Sequence, residues 1–176
     1  MDAQEFVRFA IERTRGATLA MVRDVRQEDL AWRPGPEANP IGFLLFHIFR
    51  SEDRLLHRLL GGTDEVWDRE GWDRRWRLPP PPPDAAELWF TGNSWTPAQV
   101  AAWKAPAKEE LLAYGEQAHR SGLEVLPKLD PAQWHVLVRP ERTRAFYLHL
   151  VMHHEAQHQG QIDYVAGILR TRGGTR

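Results

Sequence analysis

Apolar residues recur at helical spacing in four long stretches, and no run alternates as a half-buried strand would. Phe6, Val7, Ala10, Ile11, Thr14, Met21, Val22 and Val25 trace one face of a first helix. Asp2 and Glu5 open it as a capping box, and the pattern carries it to about Arg26. A second helix is predicted from Asn39 as cap, with Pro40 at its first position, to about Leu60, where Gly61-Gly62 stops it. Its stripe is Leu44, Ile48, Ser51, Leu55 and Leu59. His47 sits at the edge of that stripe, and His57 falls on the outer, solvated side. Pro106 separates a short helix start at Thr96-Pro97-Ala98-Gln99 from a third long helix reaching Leu126. Leu111, Gly115, Ala118, Gly122 and Val125 give that helix a narrow face suited to close packing. A fourth helix opens at Pro140 or Thr143 and frays within residues 171–176.

The connections differ in length. Residues 29–36 form a short, turn-rich link, whereas Thr63 to Ser94 is charged, aromatic and proline-rich, with a stiff run from Pro79 to Pro83. Trp67, Trp72, Trp76, Trp89, Trp95 and Trp103 crowd this middle region, and their commonest use is to anchor an irregular segment to a core. A connection this long often covers a functional mouth. The economical solution is an all-α four-helix bundle, one domain over residues 1–176, with a long crossover (63–96) between the second and third long helices.

Composition narrows the function more than the fold. Hydrophobic residues make up 42% and charged residues 27%, and the formal charge is −1, so no basic stripe calls for a nucleic-acid partner. No apolar run would span a bilayer, and the N-terminus does not read as a signal peptide, which predicts a cytoplasmic protein with no membrane partner. There is no cysteine. That excludes disulfides, a catalytic thiol of the protein's own and thiolate metal ligands.

The chemistry concentrates in the fourth helix, where four of the eight histidines fall between Tyr147 and Tyr164. Tyr147, Val151, His154, His158, Ile162, Val165 and Leu169 share one stripe, so two imidazoles occupy positions in the core-facing seam. Four residues apart, they stack on one face and can share an ion. His149 and His153 have the same spacing, but their line continues through Gln157, Gly160 and Tyr164 toward the helix flank. Periodicity therefore favours His154 and His158. His47, taken alone, reads as a boundary histidine; on a helix facing the fourth it would complete a three-imidazole site.

His154-Glu155-Ala156-Gln157-His158 also spells HExxH, in which two histidines hold zinc and the glutamate acts as general base. The third zincin ligand is missing downstream, where Asp163 is the one acidic residue after His158, and the metzincin glycine is one position early at Gly160. Hydrolysis is the weaker reading.

Two stretches resemble the DinB-like superfamily, also called YfiT-like metalloenzymes. Trp32-Arg33-Pro34-Gly35-Pro36 with Asn39-Pro40-Ile41-Gly42 and His47 is similar to one family segment; His154-x-x-x-His158-Gln159-Gly160-Gln161 is similar to its H-x-x-x-H-x-G-Q signature. The resemblance implies a four-helix bundle with a long second-to-third crossover, often a homodimer. It also implies that His47, His154 and His158 hold a divalent ion, with zinc and nickel foremost. Relatives of this kind include low-molecular-weight-thiol S-transferases and isomerases, so it implies a small-molecule substrate and a thiol cosubstrate; the catalytic residues stay unassigned. A frequent family arginine after the last ligand is Gln159 here, and the segment from Thr63 to Ser94, where substrate identity would lie, carries no family pattern. Two other readings stay open: the HExxH hydrolase, and a non-catalytic metal- or ligand-binding stress protein. Gln161 is open between orienting a bound group and bonding a neighbouring helix.

Overall fold

The computed structural model describes residues 1–85 and 87–172. Its long helices are α1 (Ala3–Val22), α2 (Ile41–Asp53, continued by a π-helical stretch Arg54–Gly61), α6 (Lys108–Leu123) and α7 (Arg144–Arg172). Short helices α3 (Val66–Arg69), α4 (Trp72–Arg75) and α5 (Pro97–Ala102) lie between α2 and α6. The fold is a four-helix bundle. Asp2 and Glu5 make the reciprocal capping box expected for α1, and Gly62, at φ 62°, ends α2 in the left-handed conformation glycine tolerates.

Contacts fix the directions of the helices. Val7 and Ile11 pack with Tyr147, Leu148 and Val151, and Val22 packs with Ile162 and Val165, so α1 runs parallel to α7. Ile41 to Phe49 share the latter cluster while Leu55, Leu56 and Leu60 share the former, so α2 is antiparallel to both. Gly115 faces Phe49 and Gly122 faces Leu56, which sets α6 parallel to α2. Parallel neighbours need a long return, and the crossover from Gly62 to Ala107 supplies it. The small-residue face of α6 is what lets it approach. A Cβ on Gly115 would stand 2.7 Å from the Phe49 ring, and one on Gly122 2.6 Å from a Leu56 methyl.

Several boundaries and exposures depart from the sequence reading. α1 stops at Val22, and Phe6, counted on its apolar face, is exposed. Pro40 itself is the N-cap of α2, one residue later than the Asn39 cap predicted. α2 is buried on every side from Ile41 to His57, because α6 and α7 flank it and the crossover closes over the rest. His57 is accordingly buried, with Nδ1 2.9 Å from Asp53 Oδ1 and Nε2 2.9 Å from Ser121 Oγ. Single-stripe periodicity misplaced it; a helix apolar nearly all round, as Ile41 to Phe49 is, belongs at the centre. A hairpin of β1 (Leu137–Arg139) and β2 (Arg142–Thr143) precedes α7, too short to show as alternation, with Glu141 left-handed at its turn (φ 62°).

The crossover is ordered by its aromatics. Trp67, Trp72 and Trp76 surround Tyr114 of α6 with ring centroids 5.4–5.6 Å away, and Trp95 and Trp103 close on Phe43 and Phe46 of α2. Asp53 anchors its start, accepting the first two backbone N–H groups of α3, from Val66 and Trp67, at 2.9 Å, with the Tyr114 hydroxyl at 2.7 Å.

The apolar core falls into two clusters, with a charged layer built on Arg15 in the bundle interior. Arg15 of α1 bonds Glu52 of α2, donates to Glu155 of α7 at 2.9 Å, and reaches the Gly115 carbonyl of α6 at 3.0 Å. His119 of α6 bonds Glu52 at 2.8 Å. Burial pushes the Glu52 carboxyl up, but Arg15 and His119 outweigh it and hold it below its ordinary 4.5. Burial likewise raises Asp53, and His57, Arg50, Tyr114 and the Trp67 amide bring it below 3.8.

Arg15→Met keeps much of the volume but strands two buried carboxylates, and should cost about 3–5 kcal/mol in urea unfolding at pH 7. Because Glu52 and Asp53 bind protons more weakly folded than unfolded, their stabilisation is whole above about pH 5 and drains as pH falls through 4. The wild-type melting temperature should drop across that window, and more shallowly in Glu52→Gln.

Candidate metal centre

The antiparallel register of α2 and α7 brings His47 opposite His154 and His158. One ring nitrogen from each lies within 4.8 Å of the others, and Nε2 of His47 is 3.0 Å from Nε2 of His154. His47 is buried and stacks on Phe43, one turn earlier on α2, with parallel rings 6.0 Å apart. His154 and His158 are half-buried. The exposed pair His149 and His153 stack on each other, 5.3 Å apart, on a different face of α7.

Hydrogen bonds choose which nitrogen is free. A carbonyl oxygen only accepts, so the 2.7 Å contact from His47 Nδ1 to the Thr91 carbonyl places the proton on Nδ1. The 2.7 Å contact from His158 Nδ1 to Gln161 Oε1 does the same. Both rings are then left with the Nε2 lone pair, the arrangement in which imidazoles serve as metal ligands. Thr91 comes from the crossover, in the 3-10 turn Glu87–Thr91, and Gln161 from the turn of α7 after His158. Gln161 thus bonds a histidine, not a neighbouring helix.

Charge is disfavoured at the buried rings. Burial, opposed by the Thr91 bond and aided by His158, lowers His47 to about 4; burial, then His47, His158 and His153, lowers His154 to about 3. With the His47 proton on Nδ1, the 3.0 Å contact is a hydrogen bond donated by His154 Nε2–H to the His47 Nε2 lone pair. This donor set suits a borderline-soft divalent ion.

Glu155, next to His154, points elsewhere. It is buried, and Arg15 holds both its oxygens, at 2.9 and 3.3 Å. A general base must reach the reacting water, and this carboxylate is engaged in the bundle interior, which weighs against the HExxH hydrolase reading. Its burial, together with that of Glu52 and His119, escaped the sequence reading; for Glu52 the available signal was its place on α2 directly after the near-continuous apolar run Ile41–Phe49.

Two clefts, of about 790 and 610 Å³, flank the segment Trp76–Pro80, one bounded by Trp103 and Lys104 and the other by Arg50, Arg54 and Arg58. They are sized for small molecules, but none of the three histidines lines them. The convergent donors, not the larger hollows, mark the chemistry.

Comparison with known proteins bears on the family and the fold. The profile of the DinB superfamily matches residues 10–162. The chain belongs to the DinB superfamily. The matched span contains α2, the crossover, α6 and α7 through Ile162, so all three histidines lie inside it. The same fold occurs among solved structures: the crystal structure of a conserved protein from Enterococcus faecalis superposes with a TM-score of 0.81 at 17% identity, covering 94% of this chain and 96% of that one. At that identity the likeness concerns the fold. No curated protein matches the chain.

In ring NMR spectra of the metal-free protein at pH 5.5, His47 and His154 should both be neutral, whereas an ordinary imidazole near 6.5 is mostly protonated there. Since the unfolded chain takes up these protons more readily, the stabilisation they give is whole above 6.5 and is lost as pH falls toward 4. Protonated signals from both rings at pH 5.5 would refute the assignment.

Proposed function

We propose that this DinB-superfamily chain holds one divalent ion, zinc or nickel, on His47, His154 and His158, and uses it to activate a small external thiol for transfer to an electrophile or for thiol-assisted isomerisation. The observation that carries the reading is the convergence of three imidazole nitrogens within 4.8 Å, two of the rings having Nδ1 bonded to an acceptor oxygen. A bound ion of this type supplies Lewis acidity, which lowers the pKa of a coordinated water or thiol into the neutral range. The chain's own residues prepare the place. Phe43 and the Thr91 carbonyl fix the His47 ring, α7 fixes the other two four residues apart, and burial keeps His47 and His154 unprotonated.

An all-imidazole donor set leaves the charge of the ion uncompensated, which favours an anionic guest. Thiolate and hydroxide both qualify. The engagement of Glu155 by Arg15 argues against hydroxide made by a glutamate base, and the absence of cysteine means that a thiol must come from outside. Cytoplasmic location and a homodimer belong to the same proposal; among the described residues no helix is long and apolar enough to cross a membrane.

Protein purified without added metal should carry or take up about one divalent ion per chain. His47→Ala, His154→Ala or His158→Ala should each weaken binding on the order of 100-fold or more, beyond the 10–100-fold typical of losing a residue that only orients a ligand. His149→Ala and His153→Ala should bind as wild type. Loaded protein should conjugate a thiol, screened among bacillithiol, mycothiol, glutathione and coenzyme A, to a haloarene or a bimane, and His47→Ala should not. A loaded protein inert with all four thiols would leave the non-catalytic binding role in place of transfer, and ester or peptide cleavage lost in Glu155→Gln would revive the hydrolase.

A further inference from the structure

We infer that Gln161 is the positioning residue that makes His158 a ligand, by accepting a hydrogen bond from Nδ1–H on its side-chain oxygen and so leaving the Nε2 lone pair to the centre. The inference rests on the metal reading above and assigns a role in it to a residue outside the three histidines. Gln161 is exposed, and on α7 it stands three residues past His158, where helix geometry makes side chains neighbours. Its Oε1 lies 2.7 Å from His158 Nδ1. Gln161 belongs to neither apolar cluster, so its side chain supports no core packing.

The comparison with His47 shows why a side chain is needed. His47 is oriented by the backbone carbonyl of Thr91, which no substitution removes. His158, on the open side, has the Gln161 side chain as its Nδ1 partner. A carboxamide supplies the equivalent acceptor. It can also turn around: its NH₂ would then donate to Nδ1, the ring proton would move to Nε2, and the lone pair facing the centre would be lost. Position 161 therefore decides whether His158 can ligate. An acceptor there enables it, an apolar residue leaves the ring without direction, and a cationic donor opposes it.

The test uses full-length wild type, Gln161→Glu, Gln161→Leu and Gln161→Lys, with Zn²⁺ and Ni²⁺ titrated against a competing chelator. Gln161→Leu should weaken binding about 10–100-fold, Gln161→Lys at least as much, and Gln161→Glu should bind as tightly as wild type or tighter. Melting of the metal-free variants should match wild type, which a packing role would not allow. Charge added by Glu or Lys would also act on an ion at a distance, so ring ¹⁵N spectra of the metal-free protein at pH 8 provide the deciding readout. Wild type and Gln161→Glu should carry the His158 proton on Nδ1, and Gln161→Leu should shift toward the Nε2–H form that free imidazoles favour. A wild-type His158 protonated on Nε2, or a Gln161→Leu variant that binds as wild type, overturns the inference. A wild type that binds no ion overturns the metal reading instead, and the wild-type titration alone reveals it.

Discussion

Arg15 is a full positive charge placed where water does not reach, and the bundle closes around it. Its guanidinium leaves α1 and meets a carboxylate of α2, a carboxylate of α7 and a carbonyl of α6, so one side chain touches the other three long helices. A buried charge is tolerated only when its partners are held in good geometry, and each partner is costly without the others. The helices cannot slide past one another without breaking that set. The register of α2 against α7 follows, and with it the meeting of His47 with His154 and His158.

The same constraint explains the character of α2. A helix carrying Glu52 and Asp53 in its middle could not be buried all round unless cations stood on both sides. Arg15 serves Glu52; Arg50 and the hydroxyl of Tyr114 serve Asp53. Once those charges are met, the apolar run from Ile41 to Phe49 can take the centre of the fold, with α6 on its glycine face and the tryptophans of the crossover on another. The crossover is thus more than a return path. Its tryptophans hold the turn Glu87–Thr91 against α2, and that turn presents the carbonyl that orients His47. Packing far from the histidines sets the tautomer of one of them.

Residues 154–158 show how little a short motif fixes by itself. HExxH places two histidines on one face of a helix in any fold, because the spacing is a property of the helix. It does not place the glutamate. Glu155 lies about 100° around the helix from His154, and what it meets there depends on the neighbouring helix. Here that neighbour offers an arginine, and the carboxylate becomes a structural counter-ion.

How much was legible in the sequence follows from the range of each interaction. The capping box of Asp2 and Glu5, the stop at Gly61-Gly62, the small-residue face of α6, and the seam shared by His154 and His158 arise between residues a few positions apart, so local spacing determined them. The family signatures around His47 and Gln161 were readable for the same reason. What the sequence could not determine involves partners far along the chain. Arg15 and Glu155 are 140 residues apart, His47 and Thr91 are 44 apart, and His57 is buried by elements that precede and follow it by different routes. A single stripe predicts which face of a helix is wet only when one face is covered; α2 is covered on all of them. Local periodicity therefore determined the helices and singled out His154 and His158, while the tertiary packing decided that His47 meets them, which charges are buried, which ring nitrogen is free, and that the glutamate between the histidines faces Arg15.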